Sequence, residues 1–200
     1  MLIFAHGYAI RFKEIVPPEN VDVCLLAPRM PGKPIREYYL NGGGVPAFVH
    51  AHQDATGNAQ PLLLALAKAL GFTKAGAFEV TFEQETELDL FIEQFLLPLI
   101  IRGIRLSFDA LEEEGYPSEG ALMELYASGE IGELLLLASK IGIYEVWKNH
   151  ASPTCQYGIF RNSEKVLPEE PTKSLIKQVL QEVRNGQFTQ DLTKEASLKY

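Results

Sequence analysis

Near Phe82 the hydrophobic rhythm of the chain changes. Up to that point short β-rich runs alternate with short helical patterns, as consecutive βα units do; beyond it the strands stop and apolar residues recur at helical spacing. The switch predicts an α/β front, residues 1–82, followed by an all-α back, residues 83–200, with no flexible linker between them. Strands are expected at Leu2 to Ala5, Val21 to Ala27, Ala47 to His52 and Ala75 to Thr81, in a parallel sheet. Helices are expected at Ile35 to Asn41, closed by Gly42-Gly43-Gly44, and at Gln60 to Leu70, closed by Gly71. In the back, one helical stretch runs from Glu85 to Glu114, with a kink expected at Pro98 and a stop at Gly115. A second runs from Ser118 to about Lys148, weakened by Gly129 and Gly132, and a third from Glu170 to just before Asn185-Gly186.

Strands that begin at residue 2 read as half of a sheet covered on both faces, so one inner edge is expected to need a partner. That partner would be a missing upstream segment, a second polypeptide or a symmetry mate. No G-x-G-x-x-G loop follows a strand, and Gly42-Gly43-Gly44 ends a helix rather than opening one, so the usual phosphate cradle of a dinucleotide fold is absent from these residues. The net charge of −8 argues against nucleic acid as a partner. Apolar runs such as Phe95 to Ile101 are broken by charge well before the roughly 20 residues of a membrane span, so no membrane insertion is expected. Cys24 and Cys155 have no paired spacing, and Met1 to His6 lacks a basic n-region; a reducing, cytoplasmic setting is expected.

The stretch Glu85-Thr86-Glu87-Leu88-Asp89-Leu90-Phe91-Ile92-Glu93-Gln94 carries the most chemistry. On a helix Asp89 and Glu93 stand at i and i+4, so their carboxylates share a face and repel. Such a pair is either a solvated acidic face or a place for a cation, and hard oxygen ligands at this spacing suit Mg²⁺. The surrounding Leu88, Leu90, Phe91 and Ile92 make burial plausible, and burial is costly for unpaired carboxylates. His50 and His52 share a strand face and precede Asp54, a second possible metal trio.

Glu85 to Gln94 resembles the E-T-x-x-D-L-x-G-E-Q signature of ketol-acid reductoisomerases, and other stretches follow in the same order. Phe4-Ala5-His6-Gly7 resembles F-A-H-G, Ala27-Pro28-Arg29-Met30-Pro31-Gly32 resembles A-P-K-G-P-G, and Gln53-Asp54-Ala55-Thr56-Gly57 matches Q-D-A-T-G. Further on, Gln156-Tyr157-Gly158 resembles E-Y-G, and Asn185-Gly186-Gln187-Phe188 resembles D-G-x-F. The resemblance implies a partial Rossmann-like sheet joined to a long-helix dimerisation domain of the knotted C-terminal type. It also implies Mg²⁺-assisted alkyl migration in 2-acetolactate or 2-aceto-2-hydroxybutyrate, followed by NADPH reduction, in branched-chain amino-acid synthesis. Carried over by position, Asp89 would bridge two metal ions, Glu93 would hold one of them, and Glu124 from the other copy of a homodimer would hold the second. Ser152 falls at a substrate-contacting serine, and His6 and Arg29 fall at catalytic positions.

Three positions depart from the pattern. Ser128 stands where a second glutamate would follow Glu124 by four residues, Arg29 stands where the family has lysine, and Ile92 where it has glycine. Glu130 and Glu133 lie six and nine residues from Glu124, on other faces of an ideal helix. Two expectations therefore stand side by side: an enzyme of this family that these residues alone do not complete for NADPH, and a non-catalytic relative that dimerises or binds a partner.

Overall fold

The computed structural model describes residues 1–199, and side chains through residue 195. The chain divides into two compact units: Met1–Phe91 together with the segment from Glu182 onward, and Ile92–Gln181.

In the first unit four strands, β1 (Leu2–Phe4), β2 (Val23–Pro28), β3 (Ala47–Gln53) and β4 (Ala77–Glu79), form one sheet in the order β1-β2-β3-β4. β1 pairs with β2, and β3 with β4, in parallel, but β2 and β3 run antiparallel, with a register shift between Val23 and Cys24. The expectation of an all-parallel sheet is corrected at that pair. Strand-to-helix alternation gives no direction by itself. The short helix α2 (Gly32–Leu40) and the turn at Gly42-Gly43-Gly44 return the chain beside β2 in the opposite sense.

β2 is buried almost end to end and separates two layers of core. On one face Cys24, Leu26, Ala47 and Val49 pack with Ala59, Leu63 and Ala67 of helix α3 (Ala59–Ala69). On the other, Val23, Leu25 and Ala27 pack with Phe82, the first residue of helix α4 (Phe82–Phe91), and with Phe4 and Phe48. Alternation along β2 puts successive side chains on opposite faces, so the run Val23 to Ala27 fills both layers. Burying one aliphatic side chain of this kind contributes about 1.5–3 kcal/mol.

The Q-D-A-T-G stretch is explained by the start of α3. Asp54 Oδ1 accepts from the Ala59 amide, Thr56 donates from its amide and hydroxyl to the buried Asp22, and the Gln53 amide nitrogen donates to the Pro18 and Val21 carbonyls. Asp54 is thereby spent on a helix start, and His50 and His52 turn instead to Glu79 and to the Phe82 ring, so the His50, His52 and Asp54 trio does not assemble.

The second unit is helical, but its long stretches are broken. A π-helical segment, Ile92–Leu96, runs directly into α5 (Leu97–Glu113), with Pro98 the second residue of α5. α6 (Ser118–Leu122) runs into a second π segment, Met123–Ala127, followed by α7 (Glu130–Ile141) and α8 (Ile143–His150). Gly129 and Gly142 carry the positive φ angles at those breaks, 83° and 97°. α9 (Pro153–Val166) was not expected from the sequence, and α10 (Glu169–Arg184) was.

Past Arg184 the chain forms α11 (Gln187–Lys199). In the first unit, Arg184 Nε donates to Glu87 Oε2 of α4 at 2.8 Å, and Arg11 from α1 (Tyr8–Arg11) reaches Glu83 Oε1 on the same helix at 3.0 Å. Among the described residues no helix is long and apolar enough to cross a membrane.

Candidate active site

α4 has no apolar stripe, yet it buries one face made of Phe82, Glu85, Thr86 and Leu90. Glu85 is 0% exposed. A carboxylate in that position is tolerable only if its oxygens are supplied with donors, and three elements supply them. The Gly7 amide, just after β1, donates to Oε2 at 2.6 Å. Arg29, just after β2, donates from Nη2 to Oε1 at 2.9 Å. His6 Nδ1 lies 3.1 Å from both carboxylate oxygens. Each charge-assisted bond of this kind contributes about 1.5–3 kcal/mol.

Gly7 is a packing requirement. A Cβ there would come within 2.5 Å of the Phe82 carbonyl oxygen and the Thr86 hydroxyl, so only glycine lets the backbone approach α4 closely enough to reach Glu85. Thr86 returns its hydroxyl proton to the Phe82 carbonyl at 2.8 Å and stays fully buried.

One helical turn on, Asp89 is 35% exposed and receives Arg29 Nη1 on Oδ1 at 3.0 Å, while its Oδ2 lies 3.5 Å from His6 Nδ1. Arg29 thus spans both carboxylates, and its guanidinium carbon lies 4.9 Å from the centre of the Phe48 ring. Among the described residues, His6, Glu85 and Asp89 are the one group of three or more histidine, cysteine or acidic side chains close enough to share a metal ion.

The electrostatics follow from these contacts. The hydrogen bond to Glu85 lifts the pKa of His6 above the usual 6.5, outweighing burial, with the charges of Glu85 and Asp89 assisting and Arg29 opposing. Burial pushes Glu85 upward, but the His6 and Gly7 hydrogen bonds and the His6 and Arg29 charges prevail and hold it below 4.5. His6 therefore adds stability that is complete below about 6.5 and is lost as the pH rises through its raised value. Glu85 adds stability that is present above 4.5 and is lost as the pH falls through its lowered value.

Of the residues singled out in the sequence, His6, Arg29 and Asp89 come together. Glu93, Glu124 and Ser152 belong to the helical unit. Glu93 is exposed on the first π segment, and Glu124 is exposed on the second. Ser152 caps α9 by accepting from the Cys155 amide at 3.3 Å. Glu93 lies in the π segment that begins at Ile92, just past the end of α4 at Phe91. Glu85 is the residue that sequence reasoning passed over. The signal was the series Glu85, Asp89, Glu93, two consecutive i, i+4 steps of which only the second was read.

Comparison with known proteins gives a consistent result. Residues 1–76 match the family described as acetohydroxy acid isomeroreductase, NADPH-binding domain, and residues 82–200 match ketol-acid reductoisomerase, C-terminal domain. The chain is 43% identical over 194 residues to the ketol-acid reductoisomerase (NADP(+)) of Pyrococcus abyssi, and 42% identical over 195 residues to that of Saccharolobus solfataricus. The alignments take in 96% and 97% of this chain but 57% of each relative, so the chain spans little more than half of their length. A solved NADH-preferring ketol-acid reductoisomerase from an uncultured archean superposes with a TM-score of 0.90 at 39% identity, covering 99% of this chain and 59% of that one.

Replacing Glu85 by glutamine removes the negative charge that faces His6. NMR titration of the Glu85→Gln protein should show the His6 pKa falling relative to the unsubstituted chain. An unchanged or higher value would mean that Glu85 is not what raises it.

Proposed function

The chain belongs to the ketol-acid reductoisomerase family, and on that premise we propose that its residues handle substrate and metal in alkyl migration and reduction of a 2-acetohydroxy acid, 2-acetolactate or 2-aceto-2-hydroxybutyrate. The observation that carries the reading is the buried Glu85, held between His6 and Arg29 with Asp89 one turn away. Structural packing alone would place an apolar residue there. A buried charge that fixes an arginine, a histidine and a glycine amide is what a preorganised reaction centre requires.

The carboxylates that would hold a hard divalent cation in this reading are Asp89, whose Oδ1 Arg29 engages, and Glu93, with Glu124 from a second copy, oxygen donors of the kind that suit such an ion. Mg²⁺ held by these groups would supply Lewis-acid polarisation of the substrate oxygens. NADPH would supply the hydride. No G-x-G-x-x-G loop occurs in the 200 residues, and no group among them is assigned to the phosphates of the nucleotide.

The chain's own groups have separate tasks in this reading. Glu85 fixes the His6 ring through Nδ1, which leaves Nε2 as the nitrogen able to hold or pass a proton at the partly exposed edge of the cluster. Arg29 keeps Asp89 and Glu85 in a fixed relation and adds positive charge beside developing oxyanions. Ser152 can cap α9 and still engage substrate, because a hydroxyl has two acceptor lone pairs and one proton.

The natural polypeptide that contains these residues should oxidise NADPH in the presence of 2-acetolactate and Mg²⁺. Glu85→Gln should lower kcat by roughly a hundredfold or more. Absence of turnover would refute the enzyme reading in favour of a non-catalytic relative, which Ser128, at the position of an expected carboxylate, favours.

Homodimerisation is part of the proposal, since Glu124 is to come from the partner copy. The helical unit leaves large apolar side chains exposed, among them Ile101, Leu135, Leu136, Tyr144 and Tyr157, more than a solvent-facing surface requires. Light scattering at micromolar concentration should give twice the 22.3 kDa chain mass. A monomer would contradict the shared site.

A further inference from the structure

Arg29 stands where the motif resembled here carries lysine, and the difference is visible in what it touches. A guanidinium is a planar fork with donors set to grip two oxygens at once, whereas an ammonium is a compact point charge. Arg29 uses both terminal nitrogens of the fork, Nη2 on Glu85 Oε1 at 2.9 Å and Nη1 on Asp89 Oδ1 at 3.0 Å, with its flat face towards Phe48, while its buried Nε finds no acceptor among the described residues. Its side chain is only 24% exposed, so these contacts are screened less than those of a surface pair. The second oxygen of Asp89 also has a neighbour that is cationic when protonated, His6 Nδ1 at 3.5 Å.

We propose that Arg29 is an internal cation that competes with a divalent metal for Asp89. A metal ion that takes both oxygens of Asp89 must share Oδ1 with the guanidinium, and has that oxygen to itself only on its release. The guanidinium is retained by Glu85 and Phe48 after that release, so it stays close to the incoming ion and repels it. This chain therefore takes divalent cations more weakly than it would with lysine at the same position. The inference rests on the proposed metal role of Asp89 and adds to it a chain-specific determinant of metal affinity.

The test is titration of the full chain with Mn²⁺ alone, following the free aqueous ion by electron paramagnetic resonance, for the unsubstituted protein, Arg29→Lys and Asp89→Asn. Arg29→Lys should bind roughly tenfold more tightly, as expected from removing one charge-assisted hydrogen bond on Asp89. Asp89→Asn should lose the site. Binding that depends on Asp89 but is equal or weaker in Arg29→Lys overturns the competition and leaves the metal role standing. No Asp89-dependent binding in either protein overturns both. A second measurement avoids substitution at Arg29: in the unsubstituted chain, saturating Mg²⁺ should shift the Arg29 guanidinium resonances. Resonances that stay put while Mg²⁺ binds would contradict the proposal.

Discussion

Glu85 is a charged side chain with no access to solvent, and the geometry of the first unit around it follows from that condition. An uncompensated carboxylate in such a place costs several kcal/mol, and removing one partner of a buried pair typically costs about 3–5 kcal/mol. The chain meets the condition with donors from the ends of two neighbouring strands: His6 and the Gly7 amide after β1, and Arg29 after β2. The positions of His6 and Arg29 are therefore set by the same carboxylate. Asp89 joins because it lies one turn farther along α4, where the second arm of Arg29 reaches it. Glycine at position 7 is part of the same arrangement, since any side chain there would hold β1 away from α4.

How much of this could be read from the letters differs between elements. The four strands, α2, α3 and α10 are legible because their apolar periods are clean and glycines close the helices. The direction of β3 is not, because a short helix followed by a turn can return a strand either way. The helical unit was legible as helix but not in its breaks. A π segment has the composition of an α-helix, and its extra residue per turn leaves no mark on hydropathy. α4 hid its most important residue for a related reason: its buried face includes Glu85 and Thr86, so hydrophobic periodicity cannot identify the face that packs. Leu88, expected to help bury the acidic pair, is instead 49% exposed.

The departures from the family pattern fall on positions with distinct physical roles. Ile92 is the first residue of a π segment, and Ser128 closes the other, so two of the three substitutions sit at irregular turns next to expected metal-ligating carboxylates. Arg29 changes the cluster itself, turning a single positive charge into a planar bridge between two carboxylates. Membership in the family is thus combined with three departures from its pattern, of which one, Ser128, stands where a carboxylate is expected. His6, Glu85 and Asp89 lie close enough in this chain to share an ion, and of the three departures only Arg29 touches that group.

The central claim is that Glu85 is a buried anion at neutral pH, kept ionised by the groups around it. Carbon-detected NMR titration of the Glu85 side-chain carboxyl measures this directly. The account predicts a midpoint below the ordinary glutamate value of 4.5, reached from a single ionised state at higher pH. A midpoint above 4.5 would mean that burial, not the surrounding donors, controls the group, and would contradict the account.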